Sequence, residues 1–156
     1  MEGPTMQYIL AWIGVGIMLG VTAACAGLGF GMVCSAALGA LKKGAGFGPL
    51  MILSAIPSTN GIYGFVAFIM YMGTLTTIGD ALTMFQGATI LGAGLIIAIG
   101  VSVTCIYQAK IATDGIVAVG SGHKEAFGKT LILAAYPEFF AILSLVGAIL
   151  VMGTLQ

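Results

Sequence analysis

The chain has 156 residues, of which 60% are hydrophobic and 6% charged, with a formal net charge of zero. Soluble domains carry roughly 25% charged residues, so a soluble enzyme is excluded and an integral membrane protein is expected. There is no arginine and no basic tract, which excludes nucleic acid as a partner.

Four apolar runs, at 6–33, 49–75, 81–107 and 131–155, each reach the ~20 residues that a spanning helix needs. The first is expected to persist as a helix. Only Glu2 precedes it in the way of charge, and the run is too long for the apolar core of a signal peptide. Cys25 does not read as a lipid acceptor, because Thr22 stands where that motif wants a branched apolar residue. In the same run Gly16/Gly20 and Gly27/Gly31 repeat at a four-residue step. Such a stripe suits close helix approach, either on the inner wall of a ring or in ordinary bundle packing. Gly27, Gly29 and Gly31 are no phosphate loop, since neither a strand nor a P-loop lysine accompanies them.

The five lysines, Lys42, Lys43, Lys110, Lys124 and Lys129, fall between the first and second or the third and fourth runs, whereas Glu2 and Asp80 lie at the other side. By the positive-inside rule both of those loops face the cytoplasm and both termini lie opposite.

In the second run, residues 56, 59, 60 and 63 share one helical face. It offers the Thr59 hydroxyl, the Asn60 amide, the Tyr63 phenol and the Ile56 carbonyl. Pro57 cannot donate to the Leu53 carbonyl, nor Pro137 to that of Leu133, so each helix is loosened beside its polar residues.

Beyond Lys110 the third run continues with apolar residues to about Val119, with Gly120 and Gly122 as a stop. On that extended helix Lys110 and Asp114 form an i, i+4 pair, although Lys110 is better suited to snorkel toward the interface. Cys25, Cys34 and Cys105 lack metal-ligand spacing and read as packing residues. His123 sits in a polar turn and reads as a solvated side chain.

Glu138 is the one charged side chain in the fourth run. A central acid costs about 2.5 to 3.5 kcal/mol on insertion scales, which makes an ion or proton carrier its default reading and a buried structural acid the alternative. Gln108 and Glu138 lie at similar distances from a turn near Gly122, and Thr59 and Asn60 at the same depth from a turn near Gly44. A proton carrier needs little beyond a carboxyl group, whereas a hard cation needs several oxygens in place of its water. Glu138, Thr59, Asn60, Gln108 and the Ile56 carbonyl form such a set and favour Na⁺ over H⁺. Tyr63 is read either as core packing or as a cap on Glu138.

Shifting the chain by 80 positions superimposes it on itself without a gap. Pro57 falls on Pro137, Cys25 on Cys105, Gly14 on Gly94, and the run Met72 to Leu75 on Met152 to Leu155. The reading is of two fused hairpins, 1–80 and 81–156, inserted in the same orientation as a parallel repeat.

Four helices in two fused hairpins, a glycine-rich first helix, the run Pro57, Thr59, Asn60, Gly61, Tyr63, Gly64 and one acid on the last helix resemble the K subunit, or proteolipid, of V/A-type rotary ATPases. The resemblance covers essentially the whole chain. It implies an all-α membrane protein of four transmembrane helices, assembling into a homo-oligomeric rotor ring with the first and third helices inside. In the Na⁺-pumping members it resembles, the ion ligands match Glu138, Thr59, Gln108 and the Ile56 carbonyl, and a tyrosine matching Tyr63 locks the glutamate. Asn60 departs from the glutamine found there, so either a water fills the gap or selectivity for Na⁺ over H⁺ weakens. The resemblance further implies a stator membrane subunit, central-stalk subunits, ATP hydrolysis on other subunits, no catalytic site and no cofactor in this chain, and Na⁺ or H⁺ as its cargo. Ser58, in the place of Glu138 in the first hairpin, leaves one carrier per four helices. The competing reading is a small proton-coupled exporter using Glu138 for antiport, which would need an aromatic-lined substrate cavity although Trp12 is the sole tryptophan. A channel-forming structural proteolipid is the third.

Overall fold

A computed structural model of the chain describes residues 6–155. Glu2 and the extreme ends of the two hairpin units lie outside the described residues. The elements are α1 (Met6–Lys42), α2 (Phe47–Ala55), α3 (Thr59–Ile78), α4 (Met84–Gly120) and α5 (Ala126–Met152), with 3₁₀ turns at Ile56–Ser58, Gly79–Ala81 and Gly153–Leu155. Four segments are long and apolar enough to cross a membrane: Met6–Lys42, Phe47–Ala81, Met84–Gly120 and Ala126–Leu155. The second span is thus α2 and α3 joined through the 3₁₀ turn.

α1 and α4 have 37 residues each, so at ~1.5 Å per residue they exceed the ~30 Å hydrocarbon core. The extension past Lys110 accordingly ends at Gly120, within a residue of the expected Val119. Lys110 therefore lies inside a helix and not in a loop. It forms no ion pair with Asp114; its ammonium stands 5.7 Å from the centre of the Tyr107 ring instead. His123, expected as a solvated side chain in a turn, is exposed, and an equally exposed Glu125 lies 3.6 Å from it.

Both hairpin turns close the same way. Gly44 (φ 85°) and Gly122 (φ 100°) take the left-handed conformation that a side chain resists. Paired bonds cap the preceding helices: Gly44 to Leu41 and Ala45 to Ala40 in the first, Gly122 to Val119 and His123 to Ala118 in the second. The capping glycine of the second hairpin is Gly122 and not Lys124, the position 80 beyond Gly44. The repeat that looks gapless in sequence is therefore shifted by two residues at its turn. At the other membrane side, a capping box starts α4: the Thr83 hydroxyl accepts from the Gln86 N–H, and Gln86 Oε1 accepts from the Thr83 N–H at 2.9 Å. That places the helix start at Met84, three residues after the apolar run begins.

α1 and α4 make the most extensive contact in the molecule, with α5 packed on α4 and α3 on α1. Gly87 lies against Gln7, Gly94 against Gly14 and Gly120 against Ala40. Each pair joins a residue to its counterpart 80 positions on, so the two long helices meet about a pseudo-two-fold axis running along them, the relation of a parallel repeat. A side chain at Gly14 would begin 2.6 Å from the Ile90 carbonyl oxygen, which only glycine avoids. By contrast Gly16, Gly20, Gly27 and Gly31 face open space, so bundle packing within the chain does not account for that stripe.

The core falls into two apolar clusters. Met18, Tyr71, Ile90, Ile97, Val101 and Ala141 belong to one, and Val33, Leu50, Leu53, Ala109 and Ile116 to the other. Asn60, Thr104, Cys105, Gln108 and Glu138 fall between them along the chain. The three cysteines are free; the Cys105 thiol lies 3.5 Å from the Pro57 carbonyl and 3.6 Å from that of Cys25.

Candidate ion-binding site

Pro57 lies in the short 3₁₀ turn that precedes α3. Asn60 and Tyr63 follow three residues apart and so share a face of α3. Gly61 and Gly64 let that helix lie close on α1: a side chain at Gly61 would begin 3.2 Å from Ala26 Cβ, and Gly64 abuts Thr22 and Met18. In α5, Pro137 is accommodated without interrupting the helix.

The Glu138 carboxylate is held at both oxygens. The Tyr63 hydroxyl donates to Oε1 at 2.7 Å, and Gln108 Nε2 donates to Oε2 at 3.2 Å. Gln108 Nε2 also reaches the Ala134 carbonyl at 3.0 Å, and Asn60 Nδ2 donates to Gln108 Oε1. Asn60 and Gln108 are fully buried, while Tyr63 and Glu138 are partly buried. Among the described residues the sole ion pair is His123–Glu125, so no basic side chain stands within ion-pair distance of Glu138. A carboxylate met only by neutral donors between apolar layers can neutralise its charge by taking a proton or a cation.

Of the residues expected in the site, Glu138, Gln108, Asn60 and Tyr63 are joined in one hydrogen-bonded network. Thr59 and Ile56 are not part of it. The Thr59 hydroxyl donates to the Ile56 carbonyl at 2.9 Å, and the Thr59 N–H goes to the same oxygen. The Ile56 carbonyl, expected to be spare, is thus occupied within its own turn. Ser58, at the position corresponding to Glu138, is exposed and donates to the Ala55 carbonyl at 2.6 Å.

Two participants escaped the sequence reading. Thr104 Oγ1 lies 3.4 Å from Asn60 Oδ1, and the Ala134 carbonyl accepts from Gln108. Thr104 precedes Gln108 by four residues, one helical turn on the same face, and that spacing was the available signal. Beside the network an apolar surface groove runs between α4 and α5, walled by Thr104, Tyr107, Tyr136, Pro137 and Phe140.

The ATP synthase C-subunit family matches residues 13–71 and 91–151, one segment in each hairpin. The A-type ATP synthase subunit K of Methanocaldococcus jannaschii is 36% identical over 138 residues, which are 85% of this chain and 60% of that protein. The V-type sodium ATPase subunit K of Enterococcus hirae is 38% identical over 101 residues, 64% of this chain and 62% of that protein. The chain therefore spans about three-fifths of the length of these relatives. A four-helix membrane protein built as two parallel hairpins, with both of them matched, this chain belongs to the ATP synthase C-subunit family.

Proposed function

We propose that the chain is a rotor ring subunit of a V/A-type rotary ATPase, and that Glu138 carries one cation across the membrane each time the subunit passes. The observation that carries this reading is the Glu138 carboxylate, held by Tyr63 at 2.7 Å and Gln108 at 3.2 Å on a membrane-spanning helix, with no basic partner among the described residues. A charge so placed is costly unless it is neutralised during transit. Family membership and relatives named as subunit K agree with this role.

The cargo is Na⁺, with H⁺ as the competing ion. The network that meets the carboxylate through N–H and O–H donors also contains Asn60 Oδ1, Gln108 Oε1 and the Ala134 carbonyl, neutral oxygens of the kind a hard monovalent cation takes in exchange for water once the amides turn toward it. Thr59 and the Ile56 carbonyl would complete the set by giving up their mutual bond. One relative is a subunit of a V-type sodium ATPase, which supports the same choice. ATP is hydrolysed on other subunits. A stator membrane subunit reloads Glu138, and central-stalk subunits meet the loops around Lys42, Lys43 and Lys124, which face the cytoplasm.

Copies of the chain form the ring, and the exposed stripe Gly16, Gly20, Gly27, Gly31 supports this, because only a neighbouring helix would use its flatness. The hairpins 1–80 and 81–156 are two copies of one unit, of which the second alone kept its carboxylate. In the reconstituted complex, Glu138→Gln is expected to abolish ATP-driven Na⁺ uptake; normal uptake sinks the carrier role. In the wild type, Na⁺ added at fixed pH is expected to slow labelling of Glu138 by a hydrophobic carbodiimide. If pH alone slows it, the cargo is the proton.

A further inference from the structure

Asn60 is fully buried, so both ends of its amide need partners inside the protein. Its nitrogen donates to Gln108 Oε1. Its oxygen has one donor within reach among the described residues, the Thr104 hydroxyl at 3.4 Å. That hydroxyl also lies 2.9 Å from the carbonyls of Gly100 and Val101. A hydroxyl carries a single proton, so Thr104 divides it between its own helix and Asn60. The residue also walls the groove beside Pro137.

We propose that Thr104 is a positioning residue for the carrier: its hydroxyl fixes which way the Asn60 amide faces, and through Gln108 this sets the affinity of Glu138 for its cation. The proposal rests on the reading of Glu138 as carrier. The donors run in one direction, from Thr104 to Asn60 Oδ1, from Asn60 Nδ2 to Gln108 Oε1, and from Gln108 Nε2 to Glu138 and Ala134. Were the Asn60 amide turned over, its oxygen would face Gln108 Oε1, acceptor against acceptor. Gln108 would then have to turn as well and withdraw its N–H from the carboxylate. On α4, Gln108 Oε1 meets the nitrogen end of that amide and the Thr104 hydroxyl meets its oxygen end, so without Thr104 the Asn60 oxygen is buried with no donor among the described residues and the orientation loses one of its two supports.

The test measures carbodiimide labelling of Glu138 in membranes holding the assembled complex, against Na⁺ at fixed pH and against pH without Na⁺. Thr104→Val keeps the shape and removes the hydroxyl, and it is expected to raise the half-protecting cation concentration about tenfold, the effect of one lost buried hydrogen bond. Thr104→Ser, which restores the hydroxyl, should stay within about twofold of the wild type, the usual scatter of uncoupled changes. In an Asn60→Leu background Thr104→Val should add no further shift, because the amide it serves is gone. A wild-type titration in Thr104→Val, a serine variant as impaired as the valine one, or full additivity with Asn60→Leu would each overturn the proposal. A wild type that responds to protons and not to Na⁺ overturns the Na⁺ assignment alone, and the Thr104 comparison is then decided on the pH midpoint.

Discussion

Glu138 is gripped by two neutral donors from different helices, one on each carboxylate oxygen, and the two differ in what they anchor. Gln108 is tied to α5 through the Ala134 carbonyl and to α3 through Asn60, whereas Tyr63 gives its only proton to Glu138. Tyr63→Phe should therefore leave the buried amides in place and loosen the carboxylate. A hydrogen bond to a charged group contributes about 1.5 to 3 kcal/mol, so roughly ten- to a hundredfold more Na⁺ is expected to be needed for protection against carbodiimide labelling. An unchanged titration would return Tyr63 to a packing role. Four members of this network were legible in the sequence from their common depth and from helical spacing around Asn60. Thr104 was not, because a hydroxyl in a helix usually returns to a carbonyl one turn back. Thr22, Ser54, Thr74, Thr130 and Ser144 all do so here. Its own backbone bonding does not distinguish Thr104 from these; the one local hint is its place a turn before Gln108, and its difference in the fold is that Asn60 lies opposite.

At the scale of elements, the same sequence device has two outcomes. Pro57 and Pro137 occupy equivalent positions, yet the second span breaks into a 3₁₀ turn while α5 runs through. Pro57 is buried against Gly29 and its carbonyl meets the Cys105 thiol, whereas Pro137 is half-buried on the wall of a surface groove. Neighbours that belong to other helices separate the two cases. The glycines divide in a similar way. Gly94 faces the Gly14 backbone, and a side chain there would begin 2.8 Å from the Gly14 Cα, so Gly94→Ala must push α1 off α4. Overpacking of this kind costs about 1 to 3 kcal/mol, and a lower midpoint of thermal unfolding in detergent is expected. Gly73→Ala, which meets nothing within 4 Å, should leave the midpoint unchanged or raised, since alanine is the better helix former. Equal loss in both variants would contradict the close α1–α4 contact.

For the whole molecule, the outer surface is as informative as the core. Leu28, Phe30, Phe65, Ile99, Phe139 and Phe140 are exposed, as lipid or a neighbouring copy requires and water does not tolerate in such number. The glycine stripe of α1 interrupts this apolar surface with a flat strip. Gly27→Leu fills open space within the chain and should leave the monomer folded while preventing its association. Rings of wild-type size on a mild detergent gel would show that the stripe is not where copies meet.

By itself the sequence determined that this is a four-span, twice-repeated membrane protein with one acid where lipid forbids it. Composition, run length and the 80-residue repeat are properties of the chain alone, and in a bilayer they leave few alternatives to paired helices. The tertiary structure decided which glycines are used inside the chain, where the repeat loses register at its turn, that Thr59 and Ile56 satisfy each other, and that Thr104 completes the polar network. These depend on which helix stands opposite at a given depth, a relation between distant segments that local spacing does not encode.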